Sequence, residues 1–178
     1  LIRRAFRRVP ERIDNEIFSF VFLVFFAGCS QKGETKYYIP TVKTEKTAIQ
    51  KSVQIVVDTP LYLSTDKIWY KKEGVLLPYK NSYLAKNHKE FLYEVLFQTA
   101  FNPSISTVSV KPLDSYQEYD ETGSVYVLKV SIEVAGKNRE KTVTTETFRS
   151  QRLGIGAKEG VRGLEECYAA LAASAVFR

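Results

Sequence analysis

The sequence contains few of the residue types on which catalytic and metal sites depend. It has one histidine, His88, two cysteines, Cys29 and Cys167, and no methionine. A metal site or a proton-transferring pair needs a second ligand or base near its histidine, and the sequence places none beside His88. Because Leu84 and Phe91 flank it at helical spacing, we interpret His88 as a packed side chain.

Complete motifs for phosphate binding, calcium binding and acyl transfer are also missing. Gly154, Gly156 and Gly160 match neither glycine fingerprint, so we interpret them as a flexible turn. The acidic stretch 114–121 lacks the spacing of a calcium loop and is interpreted as the solvated loop of a hairpin. No nucleophile elbow surrounds any serine. These absences predict that the chain is not an enzyme and binds no cofactor.

The basic residues are numerous but not clustered. The formal net charge is +6 at pH 7, and the lysines are spread along the whole chain. Proteins that bind nucleic acid show a basic patch or stripe, so this distribution predicts no nucleic-acid partner. A weak and nonspecific attraction to anionic lipid headgroups is compatible with the charge.

One long apolar run lies near the start of the chain, at residues 17–28. A bilayer-spanning helix needs about 20 apolar residues, so this shorter run is typical of a signal-peptide core. Five arginines precede it, which is the expected positive flank. We predict that residues 1–28 are a signal peptide, with a transmembrane span or an ordinary buried segment as alternatives. Since the chain starts with Leu1, an alternative start, a misassigned start or a truncated record is expected.

A cysteine follows small residues at the end of this run. The sequence Phe26-Ala27-Gly28-Cys29 resembles the lipobox of bacterial lipoproteins, which implies that the Cys29 thiol carries a covalent lipid such as palmitate. Several acyl chains on one cysteine hold a protein firmly on a membrane. A disulfide between Cys29 and Cys167 is the alternative and would remove the anchor. Otherwise Cys167 is expected to be a small buried side chain.

The remaining chain divides into a tether and one domain. Residues 29–50 are mostly polar and predict a flexible tether, with residues 37–40 extended against the domain. Residues 51–178 suffice for a single domain with its own core. Strand patterns at 53–57, 67–71, 75–79, 105–110, 124–134 and 141–149 alternate with helical patterns at 82–100 and 157–177. We predict an α+β fold, a mainly antiparallel sheet of about five to six strands with two helices packed on one face.

Aromatic residues concentrate early in this domain, where Tyr62, Trp69, Tyr70, Tyr79 and Tyr83 lie within about twenty positions. Such rings suit protein partners or lipid chains. A sheet core with satisfied hydroxyls is the plainer interpretation for most of them.

The chain after Cys29 resembles the ABC-type transport auxiliary lipoproteins, the group that includes the paraquat-inducible C lipoprotein of bacterial envelopes. The resemblance extends over nearly all of this part and ends in a late strand pair before a C-terminal helix. The matching residues are Tyr37-Tyr38, the strand at 53–57, Pro60-Leu61-Tyr62-Leu63, Ile68-Trp69-Tyr70, Asn81, Ala85 and Leu92.

This resemblance implies a non-enzymatic lipoprotein that serves an ABC-type transport system for lipid, with phospholipid as the expected cargo class. Its partners would be the membrane, through the lipid anchor, and a mammalian-cell-entry-type protein with its ABC permease and ATPase. We expect Tyr62, Leu63, Trp69 and Tyr70 to contact this assembly from the periplasm. Ser30 replaces the aspartate that retains some lipoproteins in the inner membrane, so the outer membrane is the expected location.

A stand-alone lipoprotein that itself binds a small hydrophobic ligand is the alternative function. A closed pocket lined by the aromatic residues would favour this carrier, whereas a filled core with exposed aromatic residues would favour docking. A homo-oligomer is compatible with either function.

Overall fold

The computed structural model of the chain describes residues 33–42, 53–138 and 140–178. The predicted signal peptide, the lipid-bearing Cys29 and part of the predicted tether lie outside these residues. The described elements are β1 (Lys36–Tyr38), β2 (Gln54–Val57), β3 (Lys67–Lys72), β4 (Val75–Leu84), α1 (His88–Phe97), β5 (Ile105–Asp120), β6 (Gly123–Gly136), β7 (Lys141–Arg149) and α2 (Ala157–Ala172). Short 3₁₀ turns at Leu61–Ser64 and Ala175–Phe177 complete them.

The seven described strands form one open sheet. Its order is β1–β4–β3–β5–β6–β7, and β2 pairs with β5 on the same edge as β3. The β1–β4, β2–β5 and β3–β5 pairs are parallel, whereas β3–β4, β5–β6 and β6–β7 are antiparallel. The predicted α+β class is confirmed.

The predicted strand count is too low, because the sheet has seven described strands, and the sheet is mixed: its longest pairs are antiparallel, but three short pairs are parallel. The additional strand is β1, which lies in the segment predicted as a tether. Alternation along a strand shows which residues share a face, but it carries no information about the direction of the neighbouring strand. Parallel pairing therefore could not be derived from the period-two pattern.

Both helices are shorter than their patterns predict. At α1 the Asn87 side chain accepts a hydrogen bond from the Glu90 N–H at 2.9 Å, which places the helix start after residues 82–84 of β4. At the end of α2 the Ser174 hydroxyl accepts from the Val176 N–H at 3.3 Å and starts the last 3₁₀ turn. Within the described residues, neither helix is long and apolar enough to cross a bilayer.

The core lies between the sheet and the helices. Leu128, Val130 and Ile132 alternate along β6 and are fully buried. Phe91 of α1 stacks on Tyr168 of α2 with 5.2 Å between ring centroids, and both belong to the same core as these β6 residues. The two helices therefore cover one face of the sheet, and within the described residues no other α-helix covers the opposite face, which we call the open face.

Candidate functional site

The four predicted contact residues do not form one surface. Tyr62 and Leu63 lie in the 3₁₀ turn that joins β2 to β3. Trp69 and Tyr70 are neighbours within β3, and consecutive residues of a strand point to opposite faces. The structure brings Tyr62 and Trp69 into contact, directs Tyr70 to the other face and buries Leu63 completely. Leu63 supports the turn from the core and offers no surface to a partner.

Tyr62 occupies an interruption in the pairing of β5. Along one edge of β5, β2 pairs with residues 107–110 and β3 pairs with residues 117–118. Between them the Tyr62 hydroxyl accepts a hydrogen bond from the Ser115 N–H at 3.3 Å and donates to the Leu113 carbonyl at 3.5 Å. Backbone groups need such partners when they lose water, so this hydroxyl takes the place of a paired strand. Burial raises the pKa of Tyr62 to about 12, which keeps the hydroxyl neutral.

Trp69 fixes the turn to the sheet. Its Nε1–H donates to the Tyr62 carbonyl at 3.1 Å, and the two rings meet edge to face with centroids 5.5 Å apart. This ring geometry is favourable because the positive edge of one ring faces the negative face of the other. The residues of the Pro-x-Tyr-Leu turn and of β3 on which the family resemblance depends therefore hold each other in place.

Tyr70 belongs to a second aromatic cluster on the face that includes Ile68. Its ring centroid lies 4.7 Å from that of Tyr79 and 5.5 Å from that of Tyr119. These distances are those of rings in contact, so little space remains between the three side chains.

A buried amide orders this cluster. The Oε1 of Gln117 accepts hydrogen bonds from the hydroxyls of Tyr79, at 2.6 Å, and Tyr119, at 3.3 Å. Its Nε2 donates to the Ser124 hydroxyl at 2.5 Å and to the Gly154 carbonyl at 3.2 Å. Each amide hydrogen and both acceptor positions are thus used, and the Gln117 side chain is fully buried. The tyrosines are held in one arrangement before any partner arrives.

The β3–β4 hairpin extends this cluster with exposed apolar side chains. Val75 is 56% exposed and Leu77 is 37% exposed. Leu77 lies opposite Tyr70 in the antiparallel pair, so its side chain shares the face of the tyrosines. We define the hairpin patch as Tyr70, Val75, Leu77, Tyr79 and Tyr119.

The predicted contact set omitted most of the hairpin patch. Tyr119 lies in the acidic stretch for which the sequence predicts the solvated loop of a hairpin. This prediction is wrong, because β5 continues through the stretch to Asp120. The period of two between Gln117 and Tyr119 is a strand signal, but the polar composition around it concealed the strand. Gln117 is tolerated at a buried strand position because its amide group is fully hydrogen-bonded.

The histidine and the described cysteine are buried in the core. His88 is 1% exposed, its Nε2 lies 3.2 Å from the Lys67 carbonyl, and burial lowers its pKa to about 4. The free thiol of Cys167 is fully buried and donates to the Tyr126 carbonyl at 3.6 Å. Burial raises the pKa of Cys167 to about 12, so it is a poor nucleophile. Both residues pack as predicted.

No grouping of three or more His, Cys, Asp and Glu side chains that could hold a metal ion occurs in residues 33–42, 53–138 and 140–178. The hairpin patch offers aromatic and apolar contact, and hydrogen bonds to Gln117 order two of its tyrosines.

Comparison with known proteins identifies related folds. No protein-family model matches the chain, and no curated protein matches its sequence. The crystal structure of protein XCC0632 from Xanthomonas campestris, of the DUF330 family, superposes with a TM-score of 0.63 at 12% identity, covering 80% of this chain and 93% of that one. The chain shares the fold of a DUF330 protein. A second crystal structure, of an uncharacterised protein, has a TM-score of 0.63 at 14% identity and covers 79% of this chain and 95% of that one.

Proposed function

We propose that this protein is a membrane-anchored periplasmic lipoprotein that acts as an auxiliary component of an ABC-type transport system for phospholipid. It docks on the mammalian-cell-entry-type protein of that system through the hairpin patch, and Cys29 carries the lipid that holds it on the outer membrane. It has no catalytic role. The sequence resemblance to the auxiliary lipoproteins supports this function, and the fold shared with a DUF330 protein is compatible with it.

The proposal depends on two properties of the hairpin patch: its aliphatic side chains are exposed to solvent, and hydrogen bonds hold two of its tyrosines in place. Val75 and Leu77 present apolar surface to solvent, which marks an interaction site when it is contiguous with further apolar groups. The tyrosines beside them keep their rotamers because Gln117 bonds two of their hydroxyls. A preorganised aromatic surface loses little conformational entropy on binding, which favours a protein partner.

The same geometry argues against the carrier alternative. A site that encloses a hydrophobic ligand needs several hundred cubic ångströms between its lining side chains. In both aromatic clusters the rings instead contact one another, at 5.5 Å for Tyr62 and Trp69 and at 4.7 Å for Tyr70 and Tyr79. The rings of these two pairs therefore leave no ligand-sized space between them.

A photo-crosslinking amino acid at position 75 tests the docking surface in intact cells. We expect it to capture the mammalian-cell-entry-type protein, identified by mass spectrometry of the crosslinked product. Position 143 is the matched control, because Val143 is 64% exposed on β7 at the other edge of the sheet. Val75→Asp should lower co-purification of that partner by at least about tenfold, since it places a charge in an apolar contact, whereas Val143→Asp should not.

Equal capture at both positions, or no capture of this partner at position 75, would contradict the docking surface. The anchor is tested separately by mass spectrometry of Cys29 and by Cys29→Ala, which should release the processed protein from the membrane. An unmodified Cys29 would contradict the lipoprotein assignment without affecting the crosslinking result.

A further inference from the structure

The open face of the sheet carries lysines and aromatic rings in alternation. Ile68 of β3 is 2% exposed and faces the core, so Lys67, Trp69 and Lys71 point away from the helices. Tyr83 of β4 lies opposite Lys67 and shares this face. These side chains therefore form a row across the helix-free surface.

The rings of this row contact the lysines directly. The Lys67 Nζ lies 3.8 Å from the centroid of the Tyr83 ring, and the Lys71 Nζ lies 5.1 Å from that of Tyr116. Both distances are those of cation–π contacts. Tyr37 of β1 is 67% exposed and stacks on Tyr83 at 5.6 Å. Among the described residues, neither lysine forms an ion pair, so their charges remain available to an anionic partner.

The fold also concentrates positive charge at this end of the sheet. Strands β1, β3 and β4 contain five lysines and no acidic residue, and Asp66 and Glu73 lie just outside β3 in the chain. In the sheet, Glu118 of β5 lies beside Lys71, and its carboxylate is 3.8 Å from Arg149. At the other end, β6 and β7 carry both signs, and Lys141 pairs with Glu133 at 2.7 Å. The lysines that are dispersed along the sequence thus become neighbours in the sheet. They are Lys36, Lys67, Lys71, Lys72 and Lys80, of which Lys67 and Lys71 share the face of Trp69 whereas Lys36 and Lys72 alternate to the opposite face.

We propose that this face, formed by Tyr37, Lys67, Trp69, Lys71, Tyr83 and Tyr116, lies on an anionic phospholipid surface. Lysines attract acidic headgroups, and tyrosine and tryptophan rings are favoured at the boundary between headgroups and acyl chains. An open sheet face suits a planar surface better than it suits a small ligand.

The position of the anchor strengthens this assignment, and here the inference rests on the proposed lipidation. Lys36 follows Cys29 by seven positions, which span at most about 25 Å when fully extended. A lipid on Cys29 would hold β1 within this distance of the headgroups. The face that includes Tyr37 then lies within reach of the membrane.

Trp69 is the only tryptophan of the chain and lies in the middle of this face, so its fluorescence reports contact with lipid. The full chain is reconstituted into vesicles of phosphatidylcholine with or without phosphatidylglycerol, each containing brominated phosphatidylcholine as a quencher. We expect a blue shift and quenching of Trp69 only with phosphatidylglycerol. Raising NaCl from 0.1 to 1 M should reverse both, because the screening length falls from about 10 to about 3 Å.

Charge variants give a second, independent measurement. Lys67→Gln with Lys71→Gln should lower the ratio of docked to undocked molecules by about 30-fold, since each lysine near an anionic surface contributes about fivefold. Lys89→Gln with Lys158→Gln is the matched control, because it removes the same charge from exposed positions on α1 and α2. Circular dichroism verifies that both double variants are folded.

Equal quenching of Trp69 with and without phosphatidylglycerol would overturn the proposal. An equal decrease in the docked fraction for the Lys89→Gln, Lys158→Gln control would also overturn it. Shielding of Trp69 by a single-stranded oligonucleotide but not by vesicles would assign the face to nucleic acid instead. Crosslinking at position 75 and modification of Cys29 do not depend on Trp69. A failure of the membrane face can therefore be distinguished from a failure of the proposed function.

Discussion

Removal of one hydroxyl group tests the role of Tyr62 in the sheet. In Tyr62→Phe the ring and its contact with Trp69 remain, but the Ser115 N–H loses its acceptor and the Leu113 carbonyl loses a donor. A hydrogen bond contributes about 1 kcal/mol net, and a buried backbone group left without a partner costs about 1–3 kcal/mol. Because these bonds are long, at 3.3 and 3.5 Å, we expect a loss of about 1.5–2 kcal/mol in the free energy of unfolding.

Urea denaturation followed by Trp69 fluorescence measures this loss. The midpoint should move to lower urea with an unchanged slope, which indicates reduced stability without a change in the surface exposed. Tyr93→Phe is the matched control, since Tyr93 is 46% exposed on α1 and its hydroxyl has access to water. Its effect should stay within about 0.5 kcal/mol.

Equal stability of the two variants would refute the view that the Tyr62 hydroxyl replaces a strand partner of β5. A reduced slope in Tyr62→Phe would also count against it, because the variant would then have altered the denatured or native ensemble rather than one pair of hydrogen bonds.

Two further predictions concern the core. Burial lowers the pKa of His88 to about 4, so as pH falls from about 6.5 to 4 the unfolded chain takes up the proton first and the folded state loses about 2–3 kcal/mol. His88→Gln removes the only histidine of the chain. Urea titrations at both pH values should show that the variant loses about 2–3 kcal/mol less unfolding free energy on acidification than the unmodified protein. An equal loss in both proteins would contradict a buried neutral His88. Gly163→Ala would place a methyl group 2.7 Å from the Leu153 Cδ1 and against the Tyr126 Cβ, so the melting temperature should fall by about 5–10 °C. In Gly154→Ala the added methyl group contacts only the Glu159 side chain, at 3.5 Å or more, so the melting temperature should stay within about 2 °C of that of the unmodified protein. Equal melting temperatures for the two variants would mean that α2 does not pack this closely on β6.

Local sequence patterns were sufficient to predict which residues of one strand or helix share a face and are buried. The alternation along β6 identified Leu128, Val130 and Ile132 as neighbours on one side, and these residues are buried. The helical spacing around His88 correctly predicted a packed side chain, and β7 has the bounds that its pattern indicates. These features depend on the periods of 2 and 3.6 residues, which sequence records directly.

Tertiary structure alone decided which elements meet. The Tyr62 hydroxyl bonds to a residue 53 positions away, and its role exists only because β2 and β3 leave part of one β5 edge unpaired between them. The direction of β1, β2 and β3 and the division of Trp69 and Tyr70 between two surfaces also follow from the assembled sheet. Strand partners are chosen by packing and by connection geometry, which a single segment does not encode.

The same reasoning applies to charge. Along the chain the lysines are dispersed, and this dispersion predicted no basic patch. Parallel pairing of β1 with β4, and pairing of β4 with β3, place Lys36 and Lys71 in one end of the sheet although 35 positions separate them. The sequence by itself determined the faces and the buried residues, because these depend on local periodicity. The fold decided the surfaces, because a surface is a property of neighbouring strands.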